Sequence, residues 1–182
     1  GHQSSFENIE VFGSWRENFL LDGDQNVIEF AKIYNSRETH GLVLNGNRNI
    51  VNNSMVFNNA QQGLVIGNNV SYNILQNSLL FNNGGGNYVV HSVLSGNSVF
   101  NTMSRGGLVF GGFLTQSTET LFQNIWSFNN SSNSISTSAG SFEGDGQLFG
   151  TIFAFENSND ATHSAFVVGD ASGAVVAGVG FE

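Results

Sequence analysis

Residues 49–59 read "NIVNNSMVFNN", and residues 73–83 read "NILQNSLLFNN". Asparagine is mostly a surface residue in folded proteins, yet it holds the same places in both copies, with short apolar runs between them. Extending the frame in both directions aligns nine-residue blocks that start at Ser4, Asn26, Asn49, Asn73, Ser92, Thr120, Gln147 and Gly173. Their last position is aromatic throughout: Phe12, Tyr34, Phe57, Phe81, Phe100, Phe128, Phe155 and Phe181. Their third position is large and apolar: Phe6, Ile28, Val51, Leu75, Leu94, Phe122, Phe149 and Val175.

Successive aromatics are 22, 23, 24, 19, 28, 27 and 26 residues apart, a period at which solenoids are the expected architecture. Between blocks lies a second strand signal, with "FLLDG", "LVLNG", "LVIGN", "YVVHS", "LVFGG" and "FVVGD" starting at Phe19, Leu42, Leu64, Tyr88, Leu108 and Phe166. Each turn of the repeat therefore holds about three short strands, rich in β-branched and aromatic residues and bounded by Gly, Asn and Ser. The expected fold is all-β: a single parallel β-helix domain over residues 1–182, with about seven to eight coils. Equivalent residues in neighbouring coils then lie about 4.8 Å apart. Asparagine fills the fifth block position (Asn8, Asn53, Asn77, Asn124) and the tenth (Asn35, Asn58, Asn82, Asn101, Asn129). These columns are expected to serve both as a buried side-chain ladder and as left-handed corners. The 17 phenylalanines are expected to stack ring on ring.

The pattern "N-x-V-x-N-x-x-x-F-N-N-x-x-x-G-L-x-I" resembles the right-handed parallel β-helix of the pectate-lyase-like superfamily, which includes polysaccharide lyases, glycoside hydrolases, uronan epimerases and phage tailspikes. The resemblance runs from about Ser4 to Phe181. It implies that the strand after the glycine lines a substrate groove. The outward residues of that strand would be Leu20, Val43, Val65, Val89, Val109 and Val167. All are apolar, whereas calcium-dependent lyase chemistry needs stacked oxygen ligands, so neither a metal nor a cofactor is expected. An aliphatic ladder on an open sheet would call for cover by a partner chain, a further domain or the chain's own loops.

Charge narrows the partners. Fourteen acids against five bases give a net charge of −9, without the basic footprint of a nucleic-acid binder. No run of about 18 apolar residues marks a membrane span, and without cysteine there is no disulfide framework or thiolate zinc site. The start "GH" reads as a processed chain or a fragment of a longer one.

Candidate chemistry gathers in two places. "GSWREN" supplies Trp15, Arg16 and Glu17, and "NSRETH" supplies Arg37, Glu38 and His40 at nearly the same loop position one coil on. Glu17 and Glu38, with His40, are the candidate catalytic groups, because two carboxylates about 5–5.5 Å apart suit a retaining glycosidase and about 6.5–9.5 Å apart an inverting one. Trp15 would stack on a sugar, while Arg16 and Arg37 would hold an acidic sugar's carboxylate. The plainer reading makes these residues a solvated ion-pair ladder. A second acidic group, Glu143, Asp145, Glu156 and Asp160, lies where long intervals imply extended loops; "EGDG" is equally a turn. "DGDQN" at 22–26 lacks the distal Glu of a calcium loop and reads as a corner.

Two functions follow. One is a tailspike-like, extracellular, cell-surface or virion β-helix that binds a long polysaccharide and acts, if at all, as a glycoside hydrolase or polysaccharide lyase. The other is a non-catalytic structural solenoid of a bacterial surface or adhesive protein. Open coil ends and the aliphatic column together predict a homo-oligomer, a trimer if the tailspike resemblance holds, or burial against further domains of a longer chain.

Overall fold

The computed structural model describes residues 2–90 and, beyond them, strands only. Strands numbered in chain order fall into three columns. The first holds β1 (Ser5–Glu7), β4 (Val27–Glu29), β7 (Ile50–Asn52), β10 (Ile74–Gln76) and β13 (Ser98–Phe100). The second holds β2 (Glu10–Phe12), β5 (Lys32–Tyr34), β8 (Met55–Phe57), β11 (Leu79–Phe81) and β14 (Met103–Arg105). The third holds β3 (Phe19–Leu21), β6 (Leu42–Leu44), β9 (Gln62–Ile66), β12 (Gly86–Val90), β15 (Phe113–Leu114), β17 (Ile135–Ser136) and β19 (Phe166–Val167). Each strand pairs in parallel with its equivalent one turn away, so the chain is an all-β parallel β-helix. Longer strands β16 (Leu121–Phe128), β18 (Leu148–Ala154) and β20 (Val175–Phe181) continue the first two columns together, and β16 passes through Asn124 without a break. Among the described residues no helix is long and apolar enough to cross a membrane.

The core is a stack of aliphatic layers. Third-position residues Ile28, Val51 and Leu75, with Ile33, Val56 and Leu80 from the second column and Leu42, Leu44, Leu64 and Ile66 from the third, are almost wholly buried. Burying each such side chain is worth about 1.5–3 kcal/mol. The aromatic column lies outside this core. Phe12, Tyr34, Phe57 and Phe81 stack nearly parallel along the outer surface, with centroid separations of 5.1, 4.8 and 4.7 Å. These separations match the coil spacing.

Asparagine divides its two expected tasks between different columns. Asn8, Asn53 and Asn77, and likewise Asn35, Asn58 and Asn82, are exposed with φ between 48 and 57°. They turn the corners and do not form the buried ladder expected of them. The ladder stands next to the corners, on the first block position and on the residue after the tenth. Asn26 N–H donates to Asn49 Oδ1 at 2.9 Å, and Asn49 N–H to Asn73 Oδ1 at 3.0 Å. On the other side Ser36 N–H donates to Asn59 Oδ1, and Asn59 N–H to Asn83 Oδ1, both at 3.1 Å. A serine ladder closes the remaining corner, with Ala31 N–H donating to Ser54 Oγ and Ser54 N–H to Ser78 Oγ, both at 3.1 Å. The physical reason is steric. A left-handed residue turns its side chain outward, so the side chain that can satisfy buried backbone N–H groups is its inward neighbour.

Strand register corrects the repeat frame in its later turns. Leu75 pairs with Val99 and Gln76 with Phe100, so the fifth block begins at Asn97 and not at Ser92, and Arg105 takes the place opposite Phe81. Third-position spacing thereby becomes 24 and then 23 residues, from Leu75 through Val99 to Phe122, in place of the irregular 19 and 28. Tyr88 pairs with Phe113 and not with Leu108. At the last turn Phe149 pairs with Val176 and Ala154 with Phe181, one residue off the expected frame.

Candidate functional site

Alternation along the third column turns Leu42, Leu44, Leu64 and Ile66 into the core and Leu20, Val43 and Val65 outward. The outward residues form the floor of a groove of about 390 Å³. Leu20 is 50% exposed, but Val43 and Val65 are only 8% and 5% exposed within the chain itself. The expected open aliphatic patch is therefore a recessed floor, and the chain's own walls cover most of it. Val109 lies outside the described residues.

One wall is made by the segments that lead into β3 and β6. Arg37 N–H donates to Ser14 O at 2.8 Å and the Arg37 guanidinium sits 5.0 Å from the Trp15 ring, so Trp15 and Arg37 are coil neighbours. Further on, Asn18 N–H donates to His40 O at 3.2 Å and Phe19 N–H to Gly41 O at 3.0 Å. One extra residue therefore enters the second coil between Arg37 and His40. This shift sets Glu17 beside His40 and leaves Glu38 exposed, so the expected stacking of Glu17 on Glu38 is not what the register produces. Arg16, Glu17 and His40 line the groove; Trp15, Arg37 and Glu38 are not among its lining residues. Arg16 Nε lies 3.8 Å from Glu17 Oε2, and the Glu17 side chain is 20% exposed against 84% for Arg16.

The other wall follows the strands. Asn45, Gly67 and Asn68 line it, none of them among the candidate site residues read from the sequence. Their signal was present in "LVLNG" and "LVIGN", where a polar or small residue follows the outward-inward pair of each strand. A side chain at Gly67 would collide with Asn45 Oδ1. Asn45 Nδ2 donates to Asp22 Oδ1 at 3.0 Å, so the wall runs on into the "DGDQN" corner. There Asp24 Oδ1 accepts the backbone N–H of Asn47 at 2.7 Å, and this bond holds the Asp24 carboxyl below its ordinary value of 3.8. Asp22 and Asp24 are thus corner acceptors. Among the described residues no three His, Asp or Glu side chains converge on a metal-sized site. Glu143, Asp145, Glu156 and Asp160 lie outside the described residues.

No protein-family model and no curated protein matches the chain. Solved structures do. The pectate lyase Pel9A superposes with a TM-score of 0.61 at 21% identity, over 78% of this chain and 40% of that one. The periplasmic alginate epimerase AlgG superposes with a TM-score of 0.76 at 11% identity, over 98% of this chain and 44% of that one. In its fold the chain is a parallel β-helix similar to those of Pel9A and AlgG, and it spans less than half the length of either.

Proposed function

We propose that the groove on the third strand column binds a long polysaccharide and that the chain acts on it outside the cytoplasm. The observation that carries this reading is the groove itself: Arg16, Glu17 and His40 stand together on one wall above a recessed floor. Support comes from the two similar folds, one named a pectate lyase and the other a periplasmic alginate epimerase, both of which act on polysaccharides. Arg16 would donate to sugar oxygens at the wall. Glu17 and His40, set side by side by the register, pair a carboxylate with an imidazole, two of the side-chain types that general acid–base work uses. Trp15 and Arg37 would extend the contact surface beyond the groove, and Glu38 would be dispensable.

The test is incubation with a panel of bacterial capsular and O-antigen polysaccharides, following new reducing ends and the ultraviolet absorbance of unsaturated sugars. Cleavage by the unaltered chain, falling at least a hundredfold in Glu17→Gln and His40→Ala but not in Glu38→Gln, is expected if the pair is the acid and base. Binding without cleavage would leave a glycan-binding solenoid. Neither binding nor cleavage across the panel would favour the structural solenoid.

A further inference from the structure

The groove floor sets a chemical condition on what can lie on it. Resting on the reading that the groove takes a glycan, we propose that this glycan carries methyl groups on its sugar rings, as O-acetyl esters or as the C6 of 6-deoxy sugars, and is not a polyuronate. Leu20, Val43 and Val65 pair in register and form one continuous aliphatic strip at the coil spacing of about 4.8 Å. A sugar hydroxyl pressed onto this strip loses water and finds no hydrogen-bond partner beneath it. A methyl group there removes apolar surface from water on both partners. Leu20, on the edge strand β3, is half exposed, while Val43 and Val65 keep only 8% and 5% of their surface open, enough for contact with a methyl substituent but not for seating a whole ring. Nor do the lining residues include an aromatic ring on which a bare pyranose could stack.

Electrostatics agree. Among the lining residues the one guanidinium, Arg16, already has the Glu17 carboxylate 3.8 Å away. A polyuronate repeats its carboxylates along the chain and would need cations repeating along the groove. The opposite wall offers Asn45 and Asn68 instead, on a chain whose net charge is −9. The reaction class is narrowed as well. Lyase elimination requires removal of a proton α to a uronate carboxylate, so at the neutral, methyl-bearing sugars of such a glycan the cleavage open is hydrolysis, in which the water oxygen bonds to the anomeric carbon, the glycosidic bond breaks and the leaving oxygen takes up a proton.

Isothermal titration of the unaltered chain with acetylated xylo-oligosaccharides, the same oligosaccharides after mild base, a rhamnan and polygalacturonate separates the cases. Expected is binding of the acetylated sugars, of the rhamnan, or of both, with mild base weakening the acetylated sugars about fourfold for each methyl group that had reached the floor. Leu20→Ser, at a half-exposed position outside the buried core, should shrink that difference by the share of the methyl groups that rest on Leu20. If mild base changes nothing and the rhamnan fails to bind, or if polygalacturonate binds more tightly than the methyl-bearing sugars, this proposal is overturned while glycan binding stands. If none of these ligands binds, the methyl preference is overturned, and the bacterial glycan panel decides glycan binding separately.

Discussion

Phe30 sits at φ +53° in a corner column where, among the described residues, the other coils place Asn8, Asn53 and Asn77. An L-residue other than Gly, Asn or Asp in this region is disfavoured by roughly 1–2 kcal/mol, and the Phe30 ring is half exposed, so little packing offsets the strain. Phe30→Asn is therefore expected to raise stability by about 1 kcal/mol, read as a higher urea midpoint at unchanged m-value. The ladder behaves in the opposite way. Asn59 Oδ1 accepts from Asn18 Nδ2 and from Ser36 N–H, while its Nδ2 donates to Asn83 Oδ1 at 3.0 Å. Truncating it strands several buried groups at once, so Asn59→Ala should cost roughly 2–4 kcal/mol in the same assay. From sequence the two kinds of asparagine look alike within "FNN". Backbone handedness separates them, and that depends on where the chain turns.

At the level of the element, the aromatic ladder joins four coils on the outer surface. Phe57 stacks on both neighbours, at 4.8 Å from Tyr34 and 4.7 Å from Phe81, whereas Phe12 has Tyr34 alone and is 59% exposed. Phe57→Ala removes two ring contacts worth about 0.5–1.5 kcal/mol each, so a loss of roughly 1–3 kcal/mol is expected, and no more than half of that for Phe12→Ala. Equal losses at the two sites would show that burial and not stacking sets the cost. Thermal or urea unfolding of both variants decides it. The column was legible because an aromatic every 22 to 24 residues survives in the first four coils. Its outward direction was not, because a two-residue period leaves open which face of a strand points to the core.

For the whole molecule, the register past the fourth coil decides which residues share a column. Leu94 and Phe100 fit the expected pattern of an apolar third and an aromatic ninth position, yet β10 pairs with Ser98–Phe100. The competing frame, "NSVFNTMSR" at 97–105, reproduces the Asn and Ser or Thr corner residues of "NILQNSLLF" but ends in Arg105 where an aromatic was sought. The chain has no cysteine, so an engineered pair reports register cleanly. Gln76→Cys with Phe100→Cys should form a disulfide under mild oxidation, as paired parallel residues lie within bridging range, and Phe81→Cys with Phe100→Cys should not. The reverse result would restore the frame that begins at Ser92.

Sequence alone determined that this chain is a parallel solenoid with about three strands per turn, because every coil must cover the next and a repeating environment selects repeating residues. It also brought Arg16, Glu17 and His40 to notice, since charged residues are scarce in a chain only 10% charged. Tertiary structure decided the rest. Glu38 is one residue out of line with Glu17 even at the 22-residue offset of Trp15 and Arg37, and a single extra residue before His40 sets His40 beside Glu17, a shift visible only once β3 and β6 are paired. The same pairing turned the aliphatic column from an open patch into the floor of a groove, because its cover comes from walls built by neighbouring turns of the chain.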